Sequence, residues 1–181
     1  MKRAFFKKGL VLTAAIAVTG NIFAQDLTSA LLLTKSEQYD KAEAMLNQLI
    51  QKEPANSKYY FYLGENKLLD YYSDTISNSL ALFTKEARDI FQKGVGANAN
   101  DPLNYVGLAR VATFLGDKTT ADAMRAKAKS FLLPYKNLKK IVPPARDYAF
   151  TLAKIAESYI EEGKVDTAAA LPLIRQALKI D

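Results

Sequence analysis

Small residues recur in this sequence at fixed distances from bulky apolar ones, and the distances are helical. Ala42 is followed by Met45, Leu46 and Leu49; Ala87 by Ile90, Phe91 and Gly94; Ala121 by Met124 and Ala128; Ala170 by Leu173, Ile174 and Ala177. A second set accompanies these: Tyr60, Leu63 and Gly64; Tyr105, Leu108 and Ala109; Leu152, Ile155, Ala156 and Tyr159. One alanine at such a spacing means nothing, because alanine is the best helix former. Small residues in register with large ones mean pairs of helices that cross closely, where only Gly, Ala or Ser lets the backbones approach. No segment alternates apolar and polar residues in the manner of a half-buried strand. The chain therefore predicts about eight helices in antiparallel pairs and an all-α fold.

Equivalent positions also repeat along the chain. Ala87 to Ala121 is 34 residues, Ala42 to Ala87 is 45, and Tyr105 to Leu152 is 47. Residues 102–135 resemble the tetratricopeptide repeat, a 34-residue helix–turn–helix. Tyr105 falls at its fourth position, Leu108 and Ala109 at its seventh and eighth, Gly116-Asp117 at the turn, and Ala121 and Ala128 at positions 20 and 27. The same register extends to repeats of roughly 25–56, 57–101 and 149–181. Leu49 departs from it, standing where position 27 wants a small residue, as do two extra residues in the turn of the fourth repeat. The resemblance implies a tetratricopeptide-repeat helical solenoid of about four repeats over residues 25–181. The eleven extra residues of the second repeat lie in Tyr71 to Phe83. They read as a polar turn over 73–79 followed by added helix from Leu80, since eleven residues are about three helical turns and keep the buried face. The thirteen after the third repeat include Pro134, Pro143 and Pro144 and read as an irregular connection.

In this family the concave groove is lined by positions 2, 5, 9 and 12 of each repeat. Carried onto this sequence, they give Leu27, Leu31, Lys58, Phe61, Glu65, Leu68, Val106, Arg110, Thr113 and Glu157 as the partner-binding set, with Ala153 and Ile160 beside them. Such a groove is apolar with scattered charges and suits an extended or helical peptide; packing against an extra helix or a neighbouring molecule is the alternative. The Lys/Asn clamp by which some relatives capture a C-terminal carboxylate has no counterpart here.

Composition narrows the chemistry. The 181 residues contain no Cys, His or Trp. Disulfides, thiolate nucleophiles, Cys-type metal sites and histidine acid–base chemistry are all excluded. No catalytic, cofactor or metal constellation is expected, and the chain does not read as an enzyme. Residues 1–24 read as a secretory signal peptide, with Lys2, Arg3, Lys7 and Lys8 before the apolar run 10–18 and a cut near Gln25. That run is too short to span a membrane, although an uncleaved anchor is the alternative. Removing residues 1–24 lowers the formal charge from +6 to +2, so the basicity is no sign of nucleic acid. Export to a periplasm or cell envelope is the expected location.

One segment remains strongly basic: Arg125, Lys127, Lys129, Lys136, Lys139, Lys140 and Arg146, with no acid among them. It reads either as an anion-binding patch for an envelope polymer or lipid surface, or as a solvated helix face. Glu157, Glu161 and Glu162 read as a solvated helix face rather than a metal site, because calcium wants six to eight oxygens from a turning loop. At the C-terminus, Leu171, Leu173, Ile174, Leu178 and Ile180 cannot all face the preceding helix, and no polar cap follows. Self-association through this helix, or a longer array, is expected.

Overall fold

The computed structural model describes residues 26–132, 145–160 and 166–180. Residues 1–25, where a signal peptide is expected, residues 133–144 with Lys136, Lys139 and Lys140, and Glu161 and Glu162 lie outside the described residues. Eight helices and no strands occur among the described residues: α1 (26–35), α2 (Tyr39–Lys52), α3 (Ser57–Tyr71), α4 (Leu80–Ala97), α5 (Pro102–Phe114), α6 (Lys118–Ser130), α7 (Ala145–Glu157) and α8 (Thr167–Ala177). They form the four expected pairs. None is long and apolar enough to cross a membrane.

Local chemistry places the helix starts. Asp101, Asp117 and Asp166 accept N–H bonds from Leu103, Thr120 and Ala169, capping α5, α6 and α8, and Pro102 opens α5 where its missing N–H costs nothing. Ser79 caps α4 through the N–H of Leu82. The α5–α6 turn needs a left-handed residue, and Gly116 supplies it at φ 74°. Glu37 takes the same conformation at the equivalent point of the α1–α2 turn, φ 58°, without that freedom. The insertion resolves as expected: a polar turn over 72–79, in which Asp74 Oδ1 accepts from the N–H groups of Ile76 and Ser77, then an α4 of 18 residues.

The odd-numbered helices line one side of the array. α5 packs against both α3 and α7, and α4, α6 and α8 cover them from outside. Phe91 of α4 is the centre of the core. It is fully buried, with Phe61 at 6.2 Å between ring centroids. A Cβ on Gly64 of α3 or Gly107 of α5 would clash with its ring carbons. Ala109 and Ala121, expected at a close crossing, are both fully buried on the packed pair α5 and α6. A second cluster joins α1 to α2 and α3 through Ala30, Leu46, Leu49, Tyr59 and Leu63. Leu49 is buried there despite its departure from the small-residue pattern.

Candidate functional site: the concave groove

The inner surface of α3, α5 and α7 forms a groove whose walls are tied together by charge. On α3, Lys58, Tyr62 and Glu65 lie on one face at spacings of four and three. On α7, Asp147, Phe150, Lys154 and Glu157 follow the same three-and-four spacing. The two faces meet across α5. Lys58 Nζ lies 3.1 Å from Asp147 Oδ2 at one end. Further along, Lys154 Nζ lies 3.4 Å from Glu65 Oε2 and 2.7 Å from Glu157 Oε2. Arg110 of α5 rises from the floor to pair with Glu65 Oε1. A cleft of about 620 Å³ opens at the Lys58 end, bordered by Lys58, Tyr62, Leu103, Arg146, Asp147 and Phe150.

The Glu65–Arg110 pair is almost dry, its side chains 9% and 8% exposed, whereas Lys58 and Asp147 are 48% and 42% exposed. Burial alone would lower the Lys154 pKa, but the Glu65 and Glu157 carboxylates outweigh it and hold the ammonium above its ordinary value. Burial pushes the Tyr62 phenol up, so this ring stays neutral in the cleft wall.

Several residues expected in the groove are elsewhere. Phe61, Leu68 and Val106 are fully buried core side chains. The physical reason is rotation: one residue is about 100° on a helix, so with Tyr62 on the groove face Phe61 turns toward Phe91 of α4. Leu27 is half-buried against the α1–α2–α3 cluster, and Leu31 is half-buried. Thr113 is half-buried and donates to the carbonyl of Ala109. Lys58, Glu65, Arg110 and Glu157 do meet on the concave side. Tyr62, Asp147, Phe150 and Lys154 join them there without having been expected from the repeat register. For Asp147 and Lys154 the trace in the sequence is charge opposite to that of Lys58 and Glu65 at the same spacing of seven; Tyr62 has only its place in the aromatic run Tyr59 to Tyr62.

The basic segment also divides. Arg125 is 4% exposed and does not face solvent. Its guanidinium donates to Ser158 Oγ (2.9 Å) and the Ser158 carbonyl, to Thr113 Oγ1 (2.6 Å) and to Asp122 Oδ1 (3.1 Å), with the Tyr159 ring 4.1 Å away. A planar fork with five donors suits this junction, and it bolts α6 to the end of α7. Lys127 lies over Phe131, and Lys129 donates to Tyr159 Oη at 3.1 Å. Arg146 is exposed at the cleft. No cluster of acidic residues suited to a metal ion occurs among the described residues.

No known family pattern matches the chain, and no curated protein does. Solved structures do. TTC0263, a thermophilic TPR protein in Thermus thermophilus, superposes with a TM-score of 0.60 at 16% identity, over 94% of this chain and 92% of that one. The fold is a tetratricopeptide-repeat solenoid. Two further similar structures are MamA, at 16% identity over 93% and 83% of the two chains with a TM-score of 0.47, and YrrB, described as a TPR protein with an unusual peptide-binding site, at 15% over 93% and 91% with 0.46.

Proposed function

We propose that this protein is an exported member of the tetratricopeptide-repeat family and acts as a scaffold or adaptor, holding a partner protein or peptide in its concave groove in the cell envelope rather than catalysing a reaction. The observation that carries this reading is the cleft between α3 and α7, where the Tyr62 and Phe150 rings stand beside the charges of Lys58, Arg146 and Asp147. Aromatic walls with polar rims are what peptide grooves offer: apolar area for affinity and charge for register. Export rests on the basic and apolar runs of residues 1–24. The rival reading, an anionic-polymer site on 125–146, is weakened because Arg125 is committed to the α6–α7 junction.

The test is loss of native complexes. In envelope extracts run on native gels, Tyr62→Asp and Phe150→Asp should shift the protein to its free form, while Lys93→Asp on the exposed face of α4 should not. Complexes that survive both groove variants would contradict the reading. N-terminal sequencing should find the mature chain starting at or near Gln25; an intact Met1 on a soluble cytoplasmic protein would contradict export.

A further inference from the structure

In a stacked helical array each repeat ordinarily contacts only its neighbours. Two ion pairs here do not follow that rule. Lys58–Asp147 and Glu65–Lys154 each join residues 89 apart, and they tie the second repeat to the fourth across α5. These contacts therefore act on the width of the groove directly, whereas neighbour packing sets it only through the sum of small inter-repeat rotations.

The two ties differ in kind. Glu65 and Lys154 belong to a cluster with Arg110 and Glu157, in which Glu65 and Arg110 are nearly dry, Lys154 is mostly covered and Glu157 reaches solvent. Opening it would strand partly desolvated charges, which is unfavourable. Lys58–Asp147 stands at the mouth, nearly half exposed on each side, at 3.1 Å. Water and salt can replace each partner there at little cost. Tyr62 and Phe150 line the cleft that this pair bridges, and Arg146 adjoins Asp147.

We infer that Lys58–Asp147 is an ionic clasp that gates the groove, with the Glu65–Arg110–Lys154 cluster as the fixed hinge about which α3 and α7 part. The gating role rests on the groove reading given above; the clasp itself does not. The entering partner must separate Lys58 from Asp147, so the mouth is narrow at low ionic strength and opens as salt screens the pair. With a Debye length of about 30 Å at 0.01 M and about 3 Å at 1 M, that range switches the attraction off.

The chain has no cysteine, so Ala55→Cys, beside the cleft ahead of α3, and Arg175→Cys, on the α8 that packs against α7, give two unique exposed spin-label sites that report how far α3 and α7 stand apart. The inter-label distance is read with no partner present, so it tests the clasp independently of groove binding. At low salt the parent should give one short, narrow distribution. Lys58→Asp, Asp147→Lys and the milder Lys58→Ser should each lengthen and broaden it, and high salt should bring the parent to the same result. The swap Lys58→Asp with Asp147→Lys should restore the short distance. Circular dichroism establishes that each variant keeps its helices, and Lys58→Ser stands in for a reversal that does not. Distances that ignore both the substitutions and salt, or a swap that fails to restore closure, would overturn the clasp.

Discussion

Gly64 and Gly107 are small because Phe91 fills the space their side chains would take. Adding a methyl group at either should cost about 1–3 kcal/mol by overpacking. Gly96, on the same helix as Phe91, has nothing within 4 Å of its would-be Cβ. Gly96→Ala should be neutral or stabilise by up to about 1 kcal/mol through helix propensity. Urea unfolding of the three variants checks this; equal effects would contradict the packing. Ala121 and Lys118 form a second contrast on α6, one fully buried and the other 80% exposed in its side chain. Leucine should cost about 1–3 kcal/mol at Ala121 and under about 0.5 kcal/mol at Lys118, as read by thermal melts. At this scale the sequence was legible where a small residue repeats in register. It was not legible in the run Tyr59 to Tyr62, because four consecutive aromatics point all around a helix. Only the position of Phe91 sorts Phe61 inward and leaves Tyr62 on the groove.

Between elements, the Glu65–Arg110 pair joins α3 to α5, and Lys154 brings in α7. Glu65 pairs with both Arg110 and Lys154, so Glu65→Gln, which breaks two contacts of a largely buried cluster, should destabilise the chain more than Arg110→Met, which leaves the Lys154 pair in place. Replacing both, as Glu65→Leu with Arg110→Met, should cost less than the sum of the two single changes, because their shared contact is counted in each. A double-mutant cycle in urea decides it; additive losses would contradict the pairing. The same cluster sets an alkaline limit. The folded chain holds the Lys154 proton more tightly than the unfolded chain does, and Lys67, beside Glu43 and Glu86, is held likewise. Their contribution is complete below the ordinary lysine value of 10.5 and is lost as pH rises above it. The raised Tyr62 pKa acts in the same direction. Stability should therefore fall as pH climbs past about 10.5, and Lys154→Met should flatten that fall. An unchanged slope would contradict the assignment. One element departs from propensity: α8 contains Pro172 in its interior, at an exposed position where water can serve the unpaired carbonyl.

For the molecule as a whole, the fold was legible because a solenoid is written in short-range distances. The helix pairs, the insertion before α4 and the capped turns all follow from residues within one repeat of each other. The groove was only partly legible. Lys58, Glu65, Arg110 and Glu157 were placed on it by register, but the meeting of α3 with α7 depends on curvature accumulated over two repeats, which no local periodicity records. The C-terminal helix keeps part of its expected apolar surface: Leu171 and Leu178 are exposed, while Ile180 packs against the Tyr148 cluster. If that surface drives self-association, light scattering on residues 25–181 should show dimers or larger species, and Leu171→Lys with Leu178→Lys should return a monomer. The central claim is that the partner sits on the inner face of α3 and α7. It is tested most directly by in-cell photo-crosslinking, with a photoreactive residue placed singly at Lys58, Tyr62 and Phe150 in the groove and at Gln92 and Lys93 on α4. Adducts to one common partner from the three groove positions, and none from α4, are predicted; adducts from α4 with none from the groove would contradict the account.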